Sequence, residues 1–481
     1  MSTEVSPDDA IDGAPPPKAW GLVLAAIVGA EFMLQMDGTL VNVALPNVAS
    51  HLGLSLTTTS WVPNVFLLAY GGLLLLAGRL GDVLGHRRLF IVGVSIVVIA
   101  SLIGGLAPNF PVLLAGRALQ GAGAAVAGPT GLALLAILFD GARQQRAFGL
   151  YSTVTGLGAA AGMILGGILT WAGDWRWSLL VNVPIGLVVV LVALKVVGFS
   201  DAAKARHSLG LPSAVLVTGA LTAAVYGLVH AADHGWGDTW TLIPLVIAAV
   251  LVCVLLAVDS RAPEPLLPLR VFASRERVGG MINLLLLATV LGGFVFYIAQ
   301  YLQLGLGMNP LQTGLAVLPF GVGLLVSTQL LTKVVAKLDL RARAAIGLVL
   351  LVIGVGWLTR LDGQSSYAAD VLPQLFIVGL GVGLAIVPFN MLVLSTSRPE
   401  DTGITAGILQ AAITVGACIG LAVLLIPFNA GAGVVADNIS EVFTWATVAA
   451  VAGLLVLVLF WLLPGSKREA VPETATEQAQ S

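Results

Sequence analysis

Two carboxylates lie inside a run of apolar residues: Glu31 and Asp37, in the stretch EFMLQMDGTLVNVALP that ends at Pro46. A charged side chain deep in a bilayer is costly, so such residues are seldom idle. Read as one helix from Trp20 to a break at Pro46, the stretch puts Asp37 about 14 Å below that break, at roughly 1.5 Å per residue. Glu31 then lies about 9 Å deeper and about 120° round the helix, so the two acids do not share a proton directly. On a later apolar segment Arg117 lies about 9 Å below Pro111, level with Asp37 to within about a turn. A pair that forms and parts with conformation would couple a proton to movement, whereas a static pair would only fix packing. No basic residue matches the depth of Glu31. That acid could carry a second proton, act as counter-ion to a cationic substrate, or line an aqueous cavity.

Composition says what surrounds these charges. Of 481 residues, 58% are hydrophobic and 10% charged, against about 25% charged in an average soluble domain. The chain reads as an integral membrane protein. A net charge of −2 with its basic residues scattered over short loops gives no footing for nucleic acid. Cys253 and Cys418 sit in apolar runs, so neither a disulfide nor a metal site is indicated. Arginine outnumbers lysine in an Ala- and Gly-rich chain, which fits a GC-rich bacterial genome and hence the bacterial cytoplasmic membrane.

Segments long enough for the ~30 Å hydrocarbon core follow one another at about 20–44, 58–78, 89–107, 112–138, 146–171, 177–198, 210–231, 240–259, 278–304, 312–336, 343–360, 370–395, 402–427 and 441–463. Residues 1–18 and 465–481 are polar and read as disordered cytoplasmic tails. No cleaved signal peptide is recognisable, so the first helix serves as the insertion signal. With both termini cytoplasmic, fourteen spans put 20 of the 23 basic residues inside, leaving Arg176 and Arg360 outside and Arg117 within a span. That alternation follows the positive-inside rule. Polar stretches around 200–208 and 259–277 divide the chain into an N-terminal six-helix half, 19–199, a central helix pair with its flanking loops, 200–277, and a C-terminal six-helix half, 278–464.

The loop after the second segment reads GRLGDVLGHRR, with Gly78, Gly81 and Gly85 permitting tight turns and Asp82 offering a carboxylate to Arg87, Arg88 or a helix N-terminus. This G-x-L-x-D-x-x-G-x-[RK]-[RK] pattern resembles the loop signature of the major facilitator superfamily. Asp37, Thr39, Asn42, Ala44, Leu45 and Pro46 resemble the first-helix signature of its drug:proton antiporters. Gly116, Arg117, Gln120, Gly121 and Gly123 resemble its intramembrane arginine motif. WRWSLLVNVPIG from Trp175 and NPLQTGLAVLP from Asn309 look like features of its fourteen-span branch. Gly158, Gly162, Gly166 and Gly167 fit the antiporter motif of the fifth helix, with Met163 in place of the usual proline. Glycines four apart share a face and allow close helix packing. The resemblance covers nearly the whole chain and implies an all-α membrane protein of the facilitator fold, fourteen helices arranged 6+2+6. It further implies rocker-switch alternating access, Arg117 facing Asp37, the Gly78 to Arg88 loop as conformational switch, and export of amphipathic small molecules against protons. Protons are the only coupling ion expected, no cofactor is required, and a monomer in the bilayer suffices.

The last six segments carry no Asp, Glu, Lys or Arg in their central turns, so coupling is expected in the first half. They offer Phe294, Tyr297, Gln300, Tyr301, Phe320, Gln329, Phe389 and Asn390, groups suited to a broad apolar pocket with a few polar contacts. Export of one dedicated antibiotic or lipid-like metabolite is the alternative within transport. A membrane-embedded enzyme would need clustered His, Cys or Asp at a membrane face, and none is visible. ATP-driven transport is disfavoured because no lysine follows a glycine, which rules out the phosphate-binding G-x-x-x-x-G-K-[ST] loop.

Overall fold

The computed structural model describes residues 20–139, 141–196, 210–262, 269–331, 334–362, 364–396, 402–430 and 435–462. Both polar tails lie outside these residues. Among the described residues the chain is helical and contains no strand. Lipid offers the backbone no hydrogen bonds, so an apolar chain must satisfy them within each segment.

The helices are α1 (Trp20–Leu52), α2 (Leu56–Leu84), α3 (His86–Gly105), α4 (Phe110–Leu138), α5 (Gly141–Ala172), α6 (Trp177–Lys195), α7 (Leu211–His234), α8 (Thr239–Asp259), α9 (Arg275–Gly305), α10 (Pro310–Leu331), α11 (Leu340–Arg360), α12 (Tyr367–Ser395), α13 (Thr405–Asn429) and α14 (Asn438–Phe460). Twelve of them are long and apolar enough to cross a membrane by length and composition, and α2 and α5 run 29 and 32 residues beside them. Successive helices reverse direction, which gives the bundle a Trp20 end and a Leu52 end.

Local sequence explains where helices begin. Ser55 accepts from the Thr58 N–H ahead of α2, and Asn109 from the Val112 N–H ahead of α4. Asn309 and Gln312 form a reciprocal capping box at the head of α10, satisfying donors that an apolar setting would leave bare. Asp238 caps α8, and its bond from the Trp240 N–H, with His230 alongside, holds its carboxyl below the usual carboxylate range. Gly85, between α2 and α3, has φ of +92°, a conformation other residues adopt only with strain.

Two helices run past their expected ends, and one of these is α2, which continues beyond Gly78 to Leu84 so that Gly85 alone separates it from α3. Pro46 does not end the first helix: α1 passes through it to Leu52. Proline removes one ladder donor and crowds the preceding turn. The carbonyl that loses its ladder donor is that of Asn42, four residues back, and the next carbonyl, Val43, accepts from Gln303 Nε2 of α9 at 2.9 Å. Three segments are interrupted, among them α13, which breaks at Leu424. The helix of α6 breaks at Val181, just before Asn182. That of α10 breaks at Val317 and widens into a π turn at Val326–Leu331.

Packing repeats along the chain. In the first six helices α1 lies against α4, α5 and α6, α3 against α4 and α6, and α2 against α4. Eight helices later the same contacts recur: α9 against α12, α13 and α14, α11 against α12 and α14, and α10 against α12. Between the two sets α5 meets α10, α2 meets α13, and α7 lies against α8, α2 and α13. One buried apolar cluster, from Val23 to Ala193, stays within the first set near the Trp20 end. The other joins Leu40, Val43 and Leu45 to Phe294, Tyr297 and Phe320 across both sets. The two sets therefore share a core toward the Leu52 end.

Candidate functional site

Asp37 lies near the middle of α1, 2% exposed, and Arg117 of α4 is 1% exposed. Arg117 Nη1 donates to Asp37 Oδ2 at 2.7 Å and to Gln120 Oε1 at 2.9 Å. Its Nε donates to the Val62 carbonyl of α2 at 3.3 Å, and its guanidinium lies 4.5 Å from the Phe66 ring centroid. A desolvated guanidinium gains from an aromatic face, so α2 supplies both an acceptor and a ring. The other carboxylate oxygen, Oδ1, accepts from Asn182 Nδ2 of α6 at 2.6 Å and from Gln120 Nε2 at 3.3 Å. Gln120 Nε2 also donates to Ser101 Oγ of α3 at 2.7 Å. Five helices of the first set thus converge on one buried ion pair. Two charges in a low-dielectric interior hold only when their remaining hydrogen-bonding capacity is met, and Gln120, Asn182 and Val62 meet most of it.

Depth counting brings Arg117 level with Asp37, and the two are in contact. Sequence reasoning missed Asn182, Ser101 and the direct part played by Gln120. Asn182 is an amide in the apolar run of WRWSLLVNVPIG, a signal that could have marked it. Ser101 gives no such signal, because serines in spans commonly bond their own helix.

Glu31 faces a different neighbour. It is 6% exposed and accepts from Tyr151 Oη at 2.7 Å, Gln35 Nε2 at 2.8 Å and Thr155 Oγ1 at 3.1 Å. Asp37 points toward α4 and α6 and Glu31 toward α5, in line with the angular offset of six residues on one helix. All three donors to Glu31 are neutral. Among the described residues no basic side chain bonds Glu31, and neutral hydrogen bonds meet its carboxylate from two helices.

The α5 glycines hold this helix against α1. A Cβ at Gly158 would come within 3.0 Å of Gln35 Cβ, one at Gly162 would enter Thr39 Oγ1 and the Met36 carbonyl, and one at Gly166 would strike the Leu40 carbonyl. Thr39 Oγ1 also donates across the seam to the Ala159 carbonyl at 2.8 Å. Gly167 instead approaches the Pro310 carbonyl of α10, and Gly314 of α10 lies against the Met163 carbonyl, 2.6 Å from where its Cβ would stand. The residue in the usual proline position thus presents its backbone to the other set of helices.

The Gly78 to Arg88 stretch, expected as a loop, is helical on both sides of Gly85, with α2 running through Gly78 to Leu84 and α3 starting at His86. The Gly85 N–H bonds the Gly81 carbonyl at 3.0 Å and Arg87 Nη2 reaches the Leu194 carbonyl of α6 at 3.1 Å. Gly78 faces open space and Arg88 is exposed. The Asp82 side chain lies outside the described residues.

Of the pocket candidates, Phe294, Tyr297, Gln300, Tyr301, Phe320 and Phe389 are buried. Phe294 packs against Phe320 and Phe443 with centroids 5.5 and 6.0 Å apart, and Tyr297 against Phe296 and Phe428 at 4.8 and 5.4 Å. Among the described residues the Tyr297 hydroxyl and both amide atoms of Gln300 have no hydrogen-bond partner. Gln329 is exposed, and Asn390 is half-buried, with its amide bonded to the Ile386 carbonyl of its own helix at 2.7 Å.

The model of the Major Facilitator Superfamily matches residues 27–421. The puromycin resistance protein pur8 of Streptomyces alboniger is 36% identical over 483 residues, covering 97% of this chain and 95% of that protein. The cephamycin export protein CmcT of Amycolatopsis lactamdurans is 35% identical over 460 residues, covering 94% of this chain and 93% of that protein. The crystal structure of the POT family transporter PepTSo matches with a TM-score of 0.68 at 14% identity, covering 93% of this chain and 99% of that chain.

Proposed function

This chain belongs to the major facilitator superfamily, and we propose that it is a proton-coupled secondary exporter of amphipathic small molecules working by alternating access. It is a membrane transporter and not an enzyme. The observation that carries the proton-coupled reading is the Asp37–Arg117 pair. It is fully buried and gathered from five helices, and it includes an acceptor, Gln120 Oε1, already 2.9 Å from the arginine. When a proton neutralises Asp37, the guanidinium keeps Gln120, Val62 and Phe66 while its attraction to α1 weakens. Loss of the proton restores that attraction. A buried pair whose energy changes this way biases two helix arrangements, which is what coupling requires.

Fourteen spans arranged 6+2+6, with both termini cytoplasmic, support this cycle. Adding α2 and α5 to the twelve apolar helices gives that number, and the packing repeat at an interval of eight helices relates α1–α6 to α9–α14. The Leu52 end is then the outer face, and the halves close there through α5–α10 and α2–α13. The Gly78 to Arg88 stretch, the α2–α3 junction at Gly85, acts at the inner face as the switch that ties α2 and α3 to α6. Substrate enters from the inner side between Glu31 and the α9, α10 and α12 residues Phe294, Tyr297, Gln300, Tyr301, Phe320, Gln329, Phe389 and Asn390.

In this reading Glu31 is the counter-ion for cationic substrates. Glu31→Gln should reduce transport of cationic compounds at least tenfold while neutral compounds move at close to the parent rate, a loss in line with removing one charged partner. Uptake of a matched cationic and neutral pair into inverted vesicles checks it. Equal loss for both would assign Glu31 to proton carriage instead.

The relatives' names, one a resistance protein and one an export protein for a single antibiotic class, favour a second reading, export of one dedicated antibiotic. Uptake into inverted membrane vesicles under an imposed pH gradient, over a panel of amphipathic compounds, separates the two. Several unrelated compounds accumulate under the first reading and one chemical class under the second. No gradient-dependent uptake of any compound would overturn both.

A further inference from the structure

Thr57 at the head of α2, Asp233 near the end of α7 and Asn429 at the end of α13 form a closed triangle. Thr57 Oγ1 donates to Asp233 Oδ1 at 2.8 Å, Asn429 Nδ2 donates to Thr57 Oγ1 at 2.7 Å, and Asn429 Nδ2 donates to Asp233 Oδ1 at 2.9 Å. Each side chain touches the other two, and each comes from a different part of the chain: the first six helices, the central pair and the last six. Thr57 is buried while Asp233 is open to water. Deeper in the bundle the same three helices meet through adjacent glycines. A Cβ at Gly71 would lie 2.9 Å from Thr414 Cγ2 of α13, and one at Gly72 would lie 2.6 Å from Thr218 Oγ1 of α7. One helix, α2, is therefore clasped between α13 and α7 from the Leu52 end to mid-depth.

We infer that the central helix pair is a working part of the outer gate and that Asp233 is its latch, a positioning residue that holds both halves closed through one carboxylate oxygen. The inference rests on the alternating-access reading above. Its geometry leaves little freedom. Any rigid movement that parts α2 from α13 breaks the Asn429 to Thr57 bond, and α7 can then follow only one of the two. Whichever it follows, Asp233 loses the other donor, so two of the three bonds break each time the outer face opens. Hydrogen bonds to a charged group rank among the stronger ones in folded proteins, and the open state forgoes at least one of them. A merely spacing role for the central pair would need no such shared acceptor.

The test is the distance between spin labels on the full-length protein in lipid nanodiscs. Labels go on cysteines at Ser50 and Gln364, exposed positions on the outer side of the two halves, in a Cys253→Ser, Cys418→Ala background. Thr57→Val, Asp233→Ala and Asn429→Ala should each raise the ratio of open to closed outer face about tenfold, the effect of losing a bond to a charged group. Thr57→Ser should keep the parent ratio. The double variant Thr57→Val, Asp233→Ala should match Thr57→Val, because that single variant already frees α7 to move with α13 and keep the Asn429 to Asp233 bond. It should exceed Asp233→Ala, which still has the Asn429 to Thr57 bond to break. Parent-like ratios in all three single variants, with the parent itself populating both distances, would overturn the latch. A parent fixed at one distance whatever the pH or substrate would overturn the alternating-access reading and the latch with it.

Discussion

Asp37→Asn is expected to abolish proton-driven transport while leaving folded protein in the membrane. Asparagine keeps the shape of aspartate and can still accept from Arg117 Nη1, but it cannot take up or release a proton. The structural cost is one buried guanidinium without its counter-charge, about 3–5 kcal/mol when such a partner is removed. Three features soften it: Gln120 Oε1 at 2.9 Å, the Val62 carbonyl at 3.3 Å and the Phe66 face at 4.5 Å. Arg117→Gln strands the carboxylate instead, although Asn182 and Gln120 still donate to it. The double variant Asp37→Asn, Arg117→Gln removes both charges and should recover most of the thermal stability lost by either single variant. It should recover none of the transport. Stability that recovers without transport is the mark of a pair that couples, because a pair that only fixes packing would restore both together. Full drug/proton exchange by Asp37→Asn in proteoliposomes under an imposed pH gradient would sink the assignment.

The glycine seams should give the second large effect, and a contrast. Gly162→Ala drives a methyl group into Thr39 Oγ1 and the Met36 carbonyl and disturbs the bond from Thr39 to the Ala159 carbonyl. Both helices are locked by their neighbours in the first set, so α5 and α1 cannot separate to relieve it. Overpacking of this kind costs roughly 1–3 kcal/mol, and thermal stability should fall with transport. Gly314→Ala meets the Met163 carbonyl at a similar distance, 2.6 Å, but across the boundary between the two sets. Rocking the halves apart relieves it. This variant should hold its thermal stability while the open fraction of the outer face rises several-fold, read by the same spin-label pair. Equal loss of stability in both variants, with no change in open fraction, would mean the α5–α10 contact is fixed through the cycle.

Much of the architecture was legible because lipid forces it. The all-helical build and the apolar runs of span length follow from the cost of charge and bare backbone in hydrocarbon, whereas the polar stretches around 200–208 and 259–277 lie wholly or partly outside the described residues. Pro46 misled because a proline in water commonly marks a helix end, whereas in a span packed among neighbouring helices an interior proline is tolerated and α1 continues to Leu52. In the site, charge was easier to read than neutral polarity. Asp37 and Arg117 stand out because each is an expensive residue with one match at its depth. Tyr151, Thr155 and Gln35 do not stand out, since a tyrosine or threonine in a span costs little and gives no hint of what it faces. Asp233 was overlooked for a different reason. It sits at a helix end where acids are cheap, and its meaning lies in two donors distant in the chain, Thr57 and Asn429.

Substrate-stimulated proton release from the purified protein tests the central claim most directly. A panel of cationic and neutral amphipathic compounds is added to protein in weakly buffered detergent solution while the pH is followed. Asp37 as the coupling group predicts that transported compounds release protons from the parent and none from Asp37→Asn, with binding of the compounds retained in the variant. Proton release of equal size from the variant would contradict it.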